Sequence, residues 1–385
     1  MIRNCRNCAG RVRFDIKSQK IVCDTCSSGF EIGELSAESD KSAEMECDVY
    51  VCNSCGAEVV INNTESSTFC PFCGNASVVM SRVASFRRPE TIIPFEVTAE
   101  VAAKNIKEKF SKGFFIPDLI NPSASDLIGI YIPYYVTNIE FNGNMYLASK
   151  DSRKINSGYS RGCYASANWV TTDASKKFSD VFSQRLEPYY FDRFRFFDEE
   201  YLLGFYSDIS DVEEDEAIAT ARSRVMNSAH DKMINSFTEG RYFRHIYNTQ
   251  TKFITEVYDK PVTTMLPAWF YTYNYNGTPY TISVNGQTGQ VSGGVPWDNK
   301  KFAGLVTLFT ILIGGVLSLP ALLLPADLLI LTLAGLVPVL GVVAYFLSNN
   351  LRNFGGYKKF FASIRSRNVA ASNSLMSYVN KRGGR

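Results

Sequence analysis

Tyr131-Ile132-Pro133-Tyr134-Tyr135-Val136-Thr137-Asn138-Ile139-Glu140-Phe141-Asn142-Gly143 is echoed 134 positions later by Met265-Leu266-Pro267-Ala268-Trp269-Phe270-Tyr271-Thr272-Tyr273-Asn274-Tyr275-Asn276-Gly277. Proline, aromatic residues and Asn-Gly fall at matching places. Runs rich in aromatic and β-branched residues suit a pleated strand, and Asn-Gly tolerates the positive φ of a tight hairpin turn. Each copy is therefore expected to be a strand that ends in an Asn-Gly turn. The second copy continues as Tyr280-Thr281-Ile282-Ser283-Val284, a turn at Asn285-Gly286-Gln287-Thr288-Gly289, and another strand at Gln290-Val291. Helical spacing appears twice around these strands. Thr98 can cap a segment with Ala102, Ile106 and Phe110 on one face. Ser210-Asp211-Val212-Glu213 reads as a capping box before Ile218, Ala221, Val225, Ala229 and Met233. Residues 86–297 thus read as a central α+β region, either one large domain or two related halves.

Upstream of this region, eight of the ten cysteines stand in two identical frames. Cys5, Cys8, Cys23 and Cys26 are repeated, 47 positions on, by Cys52, Cys55, Cys70 and Cys73. Each frame is C-x2-C, fourteen residues, C-x2-C. Such a turn aims two thiolates at one tetrahedral centre, and a second turn closes the site. The expectation is two structural Zn2+ ions in two small β zinc ribbons, at 1–31 and 47–85, joined by an acidic linker at 32–46. Disulfides would need an oxidising compartment, and Met1-Ile2-Arg3-Asn4-Cys5 enters the first knuckle with no apolar signal segment before it. Cys47 and Cys163 fall outside the frames and read as a spare thiol and a small core residue.

Charge separates the two ribbons. Residues 1–30 carry Arg3, Arg6, Arg11, Arg13, Lys17 and Lys20 against Asp15 and Asp24, whereas Cys47 to Met80 holds Asp48, Glu58 and Glu65 and no Lys or Arg. A phosphate-gripping surface needs several cations. Ribbons of opposite sign favour protein contact over nucleic acid, with the basic first ribbon as the alternative nucleic-acid surface.

Downstream, Phe302 to Leu347 is almost free of charge and is divided by Pro320 and Pro325 with Asp327. Two runs near the length of a bilayer core predict two transmembrane helices over 302–347. Lys300 and Lys301 precede them, and Arg352, Lys358, Lys359, Arg365 and Arg367 follow. By the positive-inside rule both termini face the cytoplasm, and 348–385 is a basic cytoplasmic tail, solvated or lying on the headgroups. The expected localisation is the bacterial cytoplasmic membrane, multi-pass, with the lipid bilayer as one partner.

Catalysis finds little support. Two histidines, His230 and His245, stand apart, and no G-x-x-x-x-G-K-[ST] phosphate loop exists. The chain reads as a non-enzyme.

The two cysteine frames, Ile93-Pro94-Phe95, Tyr131-Ile132-Pro133-Tyr134-Tyr135, Leu266-Pro267-Ala268-Trp269, Val284-Asn285-Gly286-Gln287-Thr288-Gly289 and the apolar C-terminal pair together resemble a bacterial family of membrane-anchored double zinc-ribbon proteins. This YdjG-like family is often labelled by analogy with the zinc-bearing primosomal helicase or with TFIIB-type zinc ribbons. The helicase label conflicts with the missing phosphate loop. The resemblance implies recruitment of a phage-shock-protein-A-like or SPFH-type partner in envelope stress. It carries over only the eight cysteines as site residues. The expected function is a membrane-anchored zinc-ribbon adaptor or scaffold that recruits a cytosolic protein.

Overall fold

A computed structural model describes residues 4–35, 44–53, 58–61, 78–110, 120–150, 156–175, 184–208, 210–238, 245–275, 278–293 and 304. Two sheets organise them. The first ribbon is a three-stranded antiparallel sheet of β1 (Val12–Asp15), β2 (Lys20–Cys23) and β3 (Gly29–Phe30). Everything else of β character joins one twelve-stranded sheet. Its members are β4 (Glu44–Cys52), β5 (Glu58–Ile61), β6 (Val78–Arg87), β7 (Thr91–Ile92), β8 (Leu127–Lys150), β9 (Asn156–Asp173), β10 (Arg195–Phe196), β11 (Tyr206–Ser207), β12 (His245–Tyr258), β13 (Val262–Tyr275), β14 (Thr278–Asn285) and β15 (Val291–Gly293). Two α-helices are described, α1 (Ala99–Phe110) and α2 (Glu214–Thr238).

The expected α+β character is therefore corrected to a mostly β architecture. The aromatic and β-branched segments find partners within one sheet rather than in separate α+β halves. The two echoed strands are direct neighbours. β8 and β13 pair antiparallel from Val136↔Val262 to Leu127↔Tyr271. The echo has a physical reading in this pair. Pro133 stands where the other edge of β8 passes from β11, paired at Ile130 and Tyr131, to β9, paired from Tyr134 onward. Pro267 stands where β13 passes from β7, paired at Thr264 and Met265, to β14, paired from Ala268 onward. A proline cannot donate to a ladder, so it fits where one neighbour hands over to the next. The hydrogen bonds match too. The Pro133 carbonyl accepts from Ala174 N–H (3.0 Å) and the Pro267 carbonyl from Gly286 N–H (2.9 Å).

The Asn-Gly pairs diverge. β13 turns back as expected, with Tyr275 paired to Thr278. Asn142-Gly143 does not turn. β8 runs on through it, bonded to β9 on one side and β12 on the other. Two flanking strands satisfy the backbone there, so the local turn preference is overridden.

α1 buries the face its spacing assigned, whereas α2 buries Ala221, Val225 and Ala229 of its expected stripe and leaves Ile218 half-buried. Ala102, Ile106 and Phe110 of α1 are buried, and Ala102 N–H donates to the Thr98 carbonyl. On α2 the buried stripe is Ala217, Ala221, Val225 and Ala229. α2 starts at Glu214, one turn later than the expected capping box. Among the described residues no helix is long and apolar enough to cross a membrane. The expected spans at 302–347 lie, Gly304 aside, outside the described residues, as does the basic tail. The transmembrane hairpin and the multi-pass membrane localisation are corrected to that statement. The longest described helix, α2, carries Glu214, Asp215, Glu216, Arg222, Arg224, Asp231 and Lys232, charges that hydrocarbon would not accept.

The first ribbon shares its core with the large sheet. Val12, Phe14, Ile21 and Phe30 join one buried cluster with Phe95, Tyr131, Phe205 and Trp269. Phe14 meets Tyr201 edge-on at 5.3 Å, and Phe95 stacks on Phe205 at 4.4 Å. Phe14 N–H donates to the Leu203 carbonyl, and Gly33 N–H to the buried Glu200 carboxylate at 2.7 Å. A turn at Asn285 closes the same core. The Asn285 side chain accepts from Gln287 N–H and Thr288 N–H and donates to the carbonyls of Leu186 and Pro188. Gly286 lies so close to Phe95 and Pro267 that a Cβ would sit 2.7 Å from each.

Candidate metal centre

Two short loops build the centre. Cys5 and Cys8 precede β1, while Cys23 ends β2 and Cys26 follows it. The two knuckles fold alike. Cys5 N–H donates to the Gly10 carbonyl and Ala9 N–H to the Cys5 carbonyl; Cys23 N–H donates to Ser28 and Ser27 N–H to Cys23. The residue after each second cysteine is left-handed, Ala9 at φ 53° and Ser27 at φ 58°. Glycine at position 10 answers a different need. A Cβ there would lie 2.5 Å from Thr25 Oγ1 and 3.1 Å from Cys8 Sγ, so the two knuckles could not close.

The four sulfurs all lie within 4.8 Å of one another, so Cys5, Cys8, Cys23 and Cys26 could hold a metal ion. Cys5 and Cys26 sulfurs are 3.6 Å apart, and those of Cys8 and Cys23 3.5 Å. A tetrahedral ion with metal–sulfur bonds near 2.3 Å needs sulfurs about 3.8 Å apart, so the donor set fits. Backbone N–H groups of Asn7, Gly10 and Thr25 point at the sulfurs of Cys5, Cys8 and Cys23, each at 3.4 Å. Such donors stabilise thiolates and orient them. Cys5 and Cys23 are buried, whereas Cys8 and Cys26 are exposed.

The proton balance of the cluster is uneven. Donation from the Ser28 hydroxyl and backbone lowers Cys26 to about 6. A backbone donor also lowers Cys23. The Gly10 N–H favours the Cys8 thiolate, but the neighbouring Cys26 and Cys23 sulfurs outweigh it and push Cys8 up to about 12. Thiolates this close repel, which holds the proton on Cys8 in particular.

Of the second frame, Cys52 is buried at the end of β4. Cys55, Cys70 and Cys73 lie outside the described residues. The strands around that frame, β4, β5 and β6, form an antiparallel unit, and β5 joins the large sheet through β11. The leftover cysteines are core residues: Cys47 packs with Val49 and Val60, and burial raises its thiol to about 11; Cys163 is buried on β9.

The cations of the first ribbon are mostly engaged. Arg13 pairs with Asp24 at 2.9 Å and with Asp15 at 3.6 Å, Lys20 pairs with Glu31, and Arg6 donates to the Glu34 carbonyl. Arg3 lies outside the described residues. Sequence reasoning grouped Cys5, Cys8, Cys23 and Cys26 because their spacing is local, and the structure brings these four together. It missed the docking of the ribbon, because Phe14 and Gly33 carry no sign of Tyr201, Leu203 or Glu200. No family model and no solved structure matches the chain. It is similar to the uncharacterized protein YdjG of Bacillus subtilis (strain 168), 24% identical over 327 residues that cover 78% of this chain and 91% of that protein.

Proposed function

We propose that the chain is a zinc-ribbon scaffold that recruits a protein partner, with Zn2+ held by Cys5, Cys8, Cys23 and Cys26. One observation carries the reading: the four-sulfur cluster is closed and sits on a ribbon fused to the core of the large sheet. Four protein ligands leave no position for water or substrate, so the ion's work is structural. The buried side of the ribbon is anchored by Phe14, while Cys8, Cys26 and their loops face outward. The knuckle tips are thus presented on a rigid base, as a contact surface requires. Cys52, Cys55, Cys70 and Cys73 are proposed to hold a second structural Zn2+. The partner is proposed to be a phage-shock-protein-A-like or SPFH-type protein, the class the family resemblance implies.

Nucleic acid is the weaker reading. Carboxylates or carbonyls already occupy Arg6, Arg13 and Lys20 of the first ribbon. The test uses the full chain purified with its metal. Elemental analysis should find two zinc ions per chain, and Cys5→Ser/Cys23→Ser should lose one of them. A crosslinking pull-down should retain a phage-shock-protein-A-like or SPFH-type protein with the parent and lose it with the variant. Retention of nucleic acid alone, sensitive to salt, would sink the scaffold reading.

A further inference from the structure

Seven large hydrophobic side chains are exposed among the described residues, and three of them, Trp169, Phe194 and Phe196, line one cavity of about 600 Å³. Its position follows from the topology. Asn138 lies at a register shift of β8 against β9, opposite the point where β12 gives way to β13. Across that gap the Asn138 amide donates to Asp259 Oδ2 at 2.9 Å, and on the other side its Oδ1 accepts from Trp169 N–H at 2.9 Å. Trp169 is held at φ 57°, a left-handed backbone that a bulky residue rarely adopts, and yet its side chain is 50% exposed. Strained residues pinned by their surroundings cluster at functional sites, and here the ring stays half exposed.

The rings form two walls. Phe191 stacks on Trp169 at 5.6 Å and 10°, and Phe194 stands at 49° to it, 6.2 Å away. On the floor the Thr91 and Thr264 hydroxyls bond to each other at 2.7 Å, and the Thr137 hydroxyl bonds to the Asp259 carbonyl at 2.8 Å. The rim carries the carboxylates of Glu90 and Asp259 against the single ammonium of Lys260. Glu90 also faces Arg87 at 3.5 Å, so Asp259 is the principal negative group.

We propose that this cavity is an aromatic cage for a cation of diffuse charge, a quaternary ammonium or a guanidinium group. The faces of aromatic rings attract cations through their quadrupole, and angled walls contact the cation from two sides. A diffuse cation sheds its water more readily than a compact ammonium, which suits walls that offer rings and few polar atoms. The carboxylate of Asp259 at the mouth supplies the complementary charge. The site is separate from the metal centre and stands or falls independently of it.

Ligand-observed NMR on the full-length protein tests the assignment with two cationic probes. Choline represents a free small molecule, and a short acetylated peptide carrying arginine and trimethyllysine represents a protein side chain. Saturable binding of either upholds the cage, and the tighter arm names the source. The neutral isostere of choline, 3,3-dimethylbutan-1-ol, should bind at least about tenfold more weakly. Trp169→Ala should weaken the cation by about tenfold or more, while Trp169→Phe, which restores a ring face, should recover most of the affinity. Asp259→Asn keeps the acceptor for Asn138, removes the charge and should cost several-fold; it also decides the question if Trp169→Ala does not fold. Absence of binding by both cations up to about 10 mM, well above a millimolar Kd, overturns the proposal. Equal binding of the neutral isostere, or cation binding indifferent to both Trp169→Ala and Asp259→Asn, overturns it as well.

Discussion

The strands of the first ribbon are four, four and two residues long, whereas β8 alone runs for 24 residues and pairs with β9, β11, β12 and β13. The difference lies in what holds each together. A ribbon of this size buries too little apolar surface of its own to offset its chain entropy, so it leans on the core it shares with the large sheet and, in the proposed reading, on a metal. The large sheet buries Tyr131, Tyr134, Phe141 and Phe270 almost completely, and its strands satisfy one another's backbone groups. The two meet at Phe14, which belongs to the ribbon in sequence and to the aromatic core of the sheet in space. The sulfur cluster and the sheet are therefore joined through one buried cluster, in which Phe14 makes the aromatic contacts.

Removal of the metal should divide the two regions most sharply. Structural zinc contributes on the order of 10 kcal/mol to a ribbon. Chelation, or Cys5→Ser/Cys23→Ser, should abolish amide-exchange protection in β1 and β2 while β8 and β13 stay protected. Equal loss of protection in both would mean that the sheet has no stability of its own. The same binding should weaken on acidification, because the Cys8 thiol must release its proton to solvent before its sulfur binds the ion. A metal-competition titration between pH 6 and 8 would show it, and pH-independent affinity would contradict the four-thiolate assignment.

Phe14→Ala tests the shared residue. A buried phenylalanine reduced to alanine costs about 3–5 kcal/mol. Both metal affinity and thermal midpoint should fall, since the cavity opens between ribbon and sheet; a fall in only one would show the regions to be uncoupled. Asn285→Ala acts at the turn after β14, whose side-chain bonds reach Leu186, Pro188, Gln287 and Thr288 and none of the ribbon. It strands two N–H groups and two carbonyls, which should cost about 3 kcal/mol in a denaturant titration and leave metal affinity unchanged.

The smallest effect belongs to the β1–β2 turn of the ribbon. Asp15 accepts from the Ser18 hydroxyl at 2.7 Å and from its backbone N–H at 2.9 Å, and these donors hold its carboxyl below the ordinary range. Asp15→Asn should cost about 1 kcal/mol at neutral pH. A lowered native pKa contributes stability that is present above the unfolded value and is lost as pH falls through the folded one. The deficit of the variant should therefore shrink in acid and vanish below the carboxylate range. A deficit independent of pH would place the effect in chain geometry instead.

Some of this was legible in the sequence by itself. The first cysteine cluster could be read because a C-x2-C turn is a local geometry, set within four residues and independent of partners. The α1 face could be read because Ala102, Ile106 and Phe110 recur at the helical period. The turn at Asn285 could be read because Asn and Gly satisfy the backbone locally. Tertiary structure alone decided the rest. A strand's period of two says which residues share a face but not which strand lies alongside, so the echo did not reveal that β8 and β13 are neighbours, or that Asn142-Gly143 would be carried straight through by two flanking strands. Nor could spacing bring together Trp169, Phe194 and Asp259. Those residues meet only because a register shift at Asn138 falls beside the junction of β12 and β13, and long-range hydrogen bonds rather than local preference set both.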